Sequence, residues 1–416
     1  MSKHLCSLDT GKTLPMEPLF TGSPDTGGAL EVEYDYDWYR QILNADWFMR
    51  SDSKMDGIWR YSELLPIDET SVQPVTLGEG NTPLVRSRNV GPAHGLHNLF
   101  YKNETVNPTW SQKDRTHTVM ATKAKEFGYR RVVTTSTGNH GASAAAYSAA
   151  AGLEACVVFC PYETSQLLLR FINSFGGTAI VSAWNGREAL LKHMVKSLGW
   201  YPATGLGPGV GTNPYGLEGY KSIAYEIVRQ LGDVPHRVMM SVASGDSFYG
   251  VWKGFRELHR LGWVQRTPQM WACQPTGADV ISRSLGEGLD VPLVLENPQS
   301  VAISTREPTS GAHVLRSIRE SNGGAITVDD VDILKMMQAM GRDGLCVETA
   351  SALPAAAAVQ LAEQGRLGKE EHVVCVVTAA GIKWPETLTQ LTSDPIYLES
   401  NLERLGEVLS KLALAA

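Results

Sequence analysis

From about residue 77 onward, short apolar runs rich in β-branched residues alternate with helical stretches, and this alternation constrains the fold more than any other feature. Strands are predicted at 98–102, 131–134, 155–159, 178–181, 238–242, 269–274 and 372–378. Each run is brief, apolar and bounded by turn residues, as strands buried on both faces of a parallel sheet are. Helices are predicted at 118–127, 141–151, 218–230, 250–261 and 350–364. Strands and helices taking turns specify an α/β architecture. The runs Ala144-Ala145-Ala146 and 355–358 read as helices packed closely in the interior.

The first 70 residues follow another pattern. Turn formers come early, at Asp9-Thr10-Gly11 and Ser23-Pro24-Asp25-Thr26-Gly27-Gly28, followed by the aromatic, acidic stretch Glu33-Tyr34-Asp35-Tyr36-Asp37-Trp38-Tyr39. Short strands are predicted there, then an amphipathic helix near 36–46 and a helical segment around Ile58-Trp59-Arg60-Tyr61. So many aromatics do not stay solvated, so this segment is expected to cover the rest of the chain. A length of 416 residues suggests two to three domains. A net charge of -7 argues against a general nucleic-acid binder. No run of about 18 apolar residues is present to span a membrane. The start lacks an apolar signal core and the six cysteines are scattered, so free thiols and a cytoplasmic location are expected.

Four loops carry the chemistry. Asn107-Pro108-Thr109-Trp110-Ser111-Gln112-Lys113-Asp114-Arg115 stands just before a predicted helix. By itself it reads as a surface charge cluster, but a lysine placed there could form a Schiff base with an aldehyde. Thr135-Ser136-Thr137-Gly138-Asn139-His140-Gly141 joins a strand to an Ala-rich helix. It reads either as a plain helix cap or as an anion site built from N–H groups at a helix start. Ser241-Val242-Ala243-Ser244-Gly245-Asp246-Ser247 is again strand, loop and helix, with small residues that let backbone approach a phosphate. It lacks the Lys-Ser/Thr end of a nucleotide-binding loop, so ATP is not expected. Asp246 is an awkward member, because a carboxylate repels a phosphate. Finally, Cys375-Val376-Val377-Thr378-Ala379-Ala380-Gly381 ends a strand in a hydroxyl at the carboxyl edge of the sheet, where open α/β sheets bind ligands. The glycine-rich stretch 205–211 does not fit a dinucleotide fingerprint and reads as a mobile loop.

In this order the motifs resemble the fold-type II pyridoxal-phosphate enzymes, and among them the threonine synthases. Further matches are Gly57-Ile58-Trp59-Arg60-Tyr61, Leu77-Gly78-Glu79-Gly80-Asn81-Thr82-Pro83-Leu84, Lys102-Asn103-Glu104, Asn213-Pro214-Tyr215-Gly216-Leu217-Glu218-Gly219 and Val347-Glu348-Thr349-Ala350-Ser351. The resemblance implies two open, mostly parallel α/β domains with an N-terminal extension. The extension is 1–70, the large cofactor domain 71–118 with 225–416, and the small domain 119–224. It also implies a homodimer and a small amino-acid substrate. By resemblance, Lys113 would carry pyridoxal 5'-phosphate and move protons, and Asn139 would bond the cofactor's phenolic oxygen. Ala243, Ser244, Gly245, Asp246 and Ser247 would wrap its phosphate, and Thr378 would face the pyridine nitrogen. Ser111, Ser136, Thr137, Gly138 and His140 would receive substrate. A hydroxyl at the ring nitrogen suits elimination and replacement over transamination.

The chain departs from threonine synthases on the substrate side. Trp110 and Gln112 replace a Gly and a Phe around the lysine, reshaping the wall beside it. His140 stands where Thr or Ala is common, and Gly216 where Arg is usual. Losing that cation predicts poor use of O-phosphohomoserine relative to another amino acid with a β or γ leaving group, unless Arg187 and Lys192 compensate. A β-replacement synthase of the cysteate synthase type or a deaminating lyase fits as well. A non-catalytic scaffold is opposed by intact Lys113, Asn139 and Thr378. Relatives often carry two Cys-x-x-Cys pairs near the start; here Cys6 stands alone, and no structural zinc is expected.

Overall fold

The computed structural model describes residues 3–49, 57–68, 70–206, 211–398, 404–405 and 407–410. Strands β1 (Lys3–Ser7), β2 (Thr13–Leu14) and β3 (Leu30–Tyr34) form an antiparallel sheet of order β2-β1-β3. After it come β4 (Leu84–Arg86) and β5 (Leu99–Asn103). The next four strands are β6 (Arg131–Thr135), β7 (Ala155–Cys160), β8 (Thr178–Val181) and β9 (Tyr201–Pro202). These make a parallel sheet of order β8-β7-β6-β9. Then β10 (Arg237–Ser241), β11 (Gln269–Pro275), β12 (Gly324–Val328) and β13 (Val373–Val377) join β4 and β5. Their sheet has the order β12-β11-β10-β13-β5-β4 and is parallel except for β4. The predicted strands appear within a residue or two of their expected places, and β4, β9 and β12 are additional. Asn322-Gly323-Gly324 reads as a turn, which hides the start of β12.

The helices that place the site are α1 (Lys113–Glu126), α2 (Asn139–Ala150), α3 (Gln166–Ser174), α4 (Arg187–Leu198), α5 (Lys221–Leu231), α6 (Asp246–Arg260), α7 (Ala312–Glu320), α8 (Asp330–Arg342) and α9 (Thr349–Glu363). α1 starts at Lys113 rather than at 118, so the lysine is the first residue of the helix and not a residue before it. Its first turn is polar yet buried, and apolar periodicity only begins at Val119. Every residue of β13 is buried, and the alanines of α9 let that helix lie close to the sheet.

Burial of polar residues in α1 is balanced by an ion network. Arg115 donates to Glu104 (2.6 and 2.8 Å) and to Glu226 of α5 (2.7 Å from each of two nitrogens), while Lys102 of β5 donates to Glu226 (2.6 Å). All four side chains are fully buried. α1 and the segment before α5 touch here: a Cβ at Gly219 would overlap the Arg115 carbonyl, so only glycine allows the approach.

The N-terminal sheet is fastened to α6 by a second network. Glu31 on β3 pairs with Lys253 (3.0 Å) and accepts from Tyr249 (2.9 Å), and Lys253 also pairs with Glu218 (2.7 Å). Burial pushes the Glu31 carboxyl up, but Lys253 and Arg256 win and hold it at about 2. The aromatic cover is thereby folded onto α6, in keeping with its composition.

Candidate active site

The loops after β6, β10 and β13 and the start of α1 converge on one cavity of about 670 Å³, within the usual range for small-molecule sites. Its walls bring together Lys113, Ser111, Ser136, Thr137, Asn139, His140, the whole run Ala243 to Ser247, and Thr378. Gly138 does not face the cavity: its N–H goes to Ser136 Oγ (2.8 Å), and a Cβ there would strike Leu168. Ser136 Oγ also accepts from Gly141 N–H (2.8 Å), so this hydroxyl braces the turn. The cavity also takes Glu348, Glu307, Ser304 and Thr305, which periodicity did not single out.

Lys113 is held in place from both sides of the chain. The Gln112 N–H donates to the Thr378 carbonyl (2.8 Å), and Ser111 bridges Ala379, so the loop after β13 grips the start of α1. The Lys113 ammonium donates to Tyr220 Oη (3.3 Å) and stands 5.7 Å from that ring's centre. Burial alone would lower its pKa, but Tyr220, Asp246 and Glu348 outweigh it and hold the amine above its ordinary value. Tyr220 carried no signal in the sequence; it follows the matched Glu218-Gly219 run by one residue. Thr378 Oγ1 is positioned by Ser351 Oγ (2.8 Å), a residue of the buried start of α9. Asn139 Nδ2 donates to Glu348 (2.8 Å), and its Oδ1 is buried without a partner.

His140 is not the charged donor that a surface histidine would be. Burial, then Lys113, pushes it down to about 3, so it is neutral at pH 7. Its ring lies 4.3 Å from that of His117, which is also pushed far down by burial and by His140.

Two residues singled out as changes to the wall lie elsewhere. Trp110 stacks on Phe171 (5.2 Å, 11°) and is 43% exposed. It has a φ of 60°, and it is Gln112 that faces the cavity. Gly216 is packed inside the molecule, where a Cβ would stand 2.6 Å from Met120, Thr116 and Thr212 atoms. An Arg does not fit there. Gly216→Ala is expected to cost about 1–3 kcal/mol through overpacking, read as a lower urea midpoint, with kcat/KM on the best substrate little changed.

The cations of α4 do reach the cavity. Arg187 and Lys192 both line it. Arg187 is 7% exposed, its Nε donates to the Trp184 carbonyl (3.3 Å), and its guanidinium lies 4.3 Å from the Trp184 ring. Among the described residues no carboxylate comes within ion-pair distance of it. Burial lowers its pKa while Glu307 across the cavity works the other way. Of the stretch 205–211, Gly205, Leu206 and Gly211 line the cavity, and 207–210 lie outside the described residues, so its expected mobility is not addressed.

These residues fit pyridoxal 5'-phosphate. The backbone of 243–247 turns through Gly245 (φ 99°) into the start of α6, a form that suits a phosphate. A Cβ at Gly245 would overlap Val314. A half-buried lysine, a sheet-end hydroxyl and an unpartnered amide oxygen face the same space. This fold and site define a fold-type II pyridoxal-phosphate enzyme. Residues 75–379 match the family described as pyridoxal-phosphate dependent enzyme, and the chain belongs to that family.

Within it, the chain is similar to threonine synthase of Methanocaldococcus jannaschii, 34% identical over 97% of this chain and 98% of the relative. Threonine synthase of Methanosarcina acetivorans is 31% identical over 98% of both. Among solved structures, maize serine racemase superposes with a TM-score of 0.63 at 20% identity, covering 74% of this chain and 92% of the other. Threonine deaminase isoform 2 of Solanum lycopersicum gives 0.62 at 20%, covering 75% and 88%. The protein is a threonine synthase-like lyase that uses pyridoxal phosphate for elimination or replacement on an amino acid.

Proposed function

We propose that the substrate is an amino acid with an anionic leaving group at its γ or β carbon, O-phosphohomoserine first among candidates, converted to threonine and phosphate. The observation that carries this reading is Arg187, a buried cation facing the cavity with no carboxylate within ion-pair distance among the described residues. Such a charge is costly unless a ligand completes it. Arg187 supplies what position 216 lacks, which removes the reason to expect poor use of that substrate. The similar threonine synthases, aligned over nearly the whole chain, support the same reaction.

When bound, pyridoxal phosphate supplies an aldehyde that condenses with amines and a conjugated ring that accepts the electron pair left when a bond to the α-carbon breaks. The chain's residues do the rest in this reading. The backbone of 243–247 holds the phosphate. Asn139, oriented by Glu348, would hold the phenolic oxygen, and Thr378, oriented by Ser351, would meet the ring nitrogen. Lys113 would hold the aldehyde end of the cofactor and would move protons on the substrate. Its amine is protonated in the free site and must first give up that proton. Ser111, Ser136 and Thr137 line the side where an α-carboxylate would lie, while neutral His140 excludes water beside Lys113. Residues 71–118 with 225–416 form the cofactor domain and 119–224 the smaller one. The resemblance also supports a cytoplasmic homodimer, and no described helix is long and apolar enough to cross a membrane.

Arg187→Leu is the test. Truncating one partner of a buried charge pair costs about 2–5 kcal/mol. The variant's kcat/KM for O-phosphohomoserine should therefore fall between about 30-fold and a few thousand-fold. With O-acetylhomoserine, whose leaving group is neutral before cleavage, the loss should stay under about tenfold. Equal losses on both substrates would remove the role assigned to Arg187. Measurable wild-type turnover of O-acetylhomoserine alone would replace the proposed substrate class. A panel of β-substituted amino acids in the same assay reads out β-replacement and deamination.

A further inference from the structure

Asp246 sits where the cofactor's phosphate needs positive or neutral surroundings. It is the first residue of α6 and lines the main cavity, and it is 5% exposed. Its Oδ2 accepts from the Gly211 N–H and the Ser244 hydroxyl, both at 2.7 Å, while Oδ1 is buried with no hydrogen-bond partner. The carboxylate thus occupies one side of the phosphate loop and uses N–H capacity that would otherwise serve an anion.

The neighbouring charges do not cancel it. Lys113 is the cation facing Asp246 from α1, and its ammonium donates to Tyr220 rather than to the carboxylate. Tyr220, which accepts from the Lys113 ammonium, and Glu307 of the cavity wall also feel Asp246, one neutral and one a carboxyl raised by burial. From α7, His313 lies behind the loop, its Nε2 buried without a partner and 3.5 Å from where a Cβ of Gly245 would stand. Asp246 and Glu31 favour its charged form, but burial outweighs them and keeps the ring neutral. A phosphate with its second pKa near 6 arrives at neutral pH mostly as a dianion. Two acceptor groups, a carboxylate and a phosphate, cannot share a hydrogen bond unless a proton joins them.

We propose that this site binds the cofactor's phosphate together with one proton, held between Asp246 and the phosphate, so that cofactor affinity falls as pH rises. The proposal rests on 243–247 being the phosphate cradle. Above the phosphate's second pKa the free ligand has lost the proton that the complex holds, so the pH dependence has one sign only: binding weakens by up to tenfold per unit.

The test uses the cofactor-free full chain and pyridoxine 5'-phosphate, which has no aldehyde and so forms no bond to Lys113. Titration calorimetry at pH 8 in Hepes and in Tris, whose ionisation enthalpies differ, gives the protons taken up. The wild type should take up close to one, and its dissociation constant should rise about tenfold per unit between pH 7.5 and 8.5. Asp246→Asn keeps an acceptor for the Gly211 N–H. It should take up almost none, show a flat pH dependence and bind at least about tenfold tighter at pH 8.5. His313→Gln should still take up a proton. Wild-type binding without uptake overturns the proposal while leaving the cradle intact. Uptake that survives in Asp246→Asn, or vanishes in His313→Gln alone, also overturns it. Failure of pyridoxine 5'-phosphate to bind at any pH overturns the cradle and the proposal together. None of these readings depends on turnover.

Discussion

Lys113→Ala should abolish measurable turnover, with kcat reduced by at least about 10³-fold. Proton transfer by a positioned side chain alone contributes about 10²–10⁴-fold, and this variant also loses the covalent anchor. Borohydride reduction of the native holoenzyme should fix the cofactor's mass on the peptide that contains Lys113, and the variant should carry no such label. The Tyr220 contact and the grip of the Thr378 loop place this amine at the cavity, whereas Lys192, which also lines it, pairs with Glu188, and Lys383 donates to the Thr109 and Trp110 carbonyls. Cofactor mass recovered on a different lysine, with turnover retained in Lys113→Ala, would refute the assignment.

The largest expected loss of stability is at Arg115. Arg115→Met leaves Glu104 and Glu226 buried, with only Lys102 to compensate. Breaking a buried pair from one side costs about 3–5 kcal/mol, which should appear as a large drop in the urea midpoint. The same network sets an acid limit. Burial would raise the Glu226 carboxyl, but Arg115 and Lys102 hold it far below its ordinary 4.5. Its contribution is therefore complete above that pH and is lost as pH falls below it. A midpoint for Arg115→Met within error of the wild type would show that the network adds nothing net.

What the sequence made legible followed from local rules. Strand, glycine-containing loop and helix recur at 135–141 and 241–247, and both loops line the cavity. Residues 243–247 and Thr378 were readable because they end apolar runs. Lys113 was readable by motif, but its helix began five residues too late. The first turn of α1 is stabilised by partners more than a hundred residues away at Glu226, which no local window contains. Arg187 was named with Lys192 as a cation that could compensate for Gly216, but only the packing of α4 over the cavity places it there. Gly216 and Trp110 failed for the opposite reason. A difference from a family motif says that a position has changed, not which way its side chain points; one is sealed beneath α1 and the other lies on the outside against Phe171.

The tie between β3 and α6 has a consequence for proteolysis. Nicking off the first strands would leave every cavity wall described above in the chain. It would also strip Glu31 from Lys253 and take the Tyr34 ring away from Lys221, 3.9 Å beneath it. Lys253 would then keep Glu218 alone, and α6 would lose its outer clamp. Because the first residue of α6 is Asp246, a trimmed enzyme should shed its cofactor before it unfolds, and added cofactor should protect the intact chain from the protease.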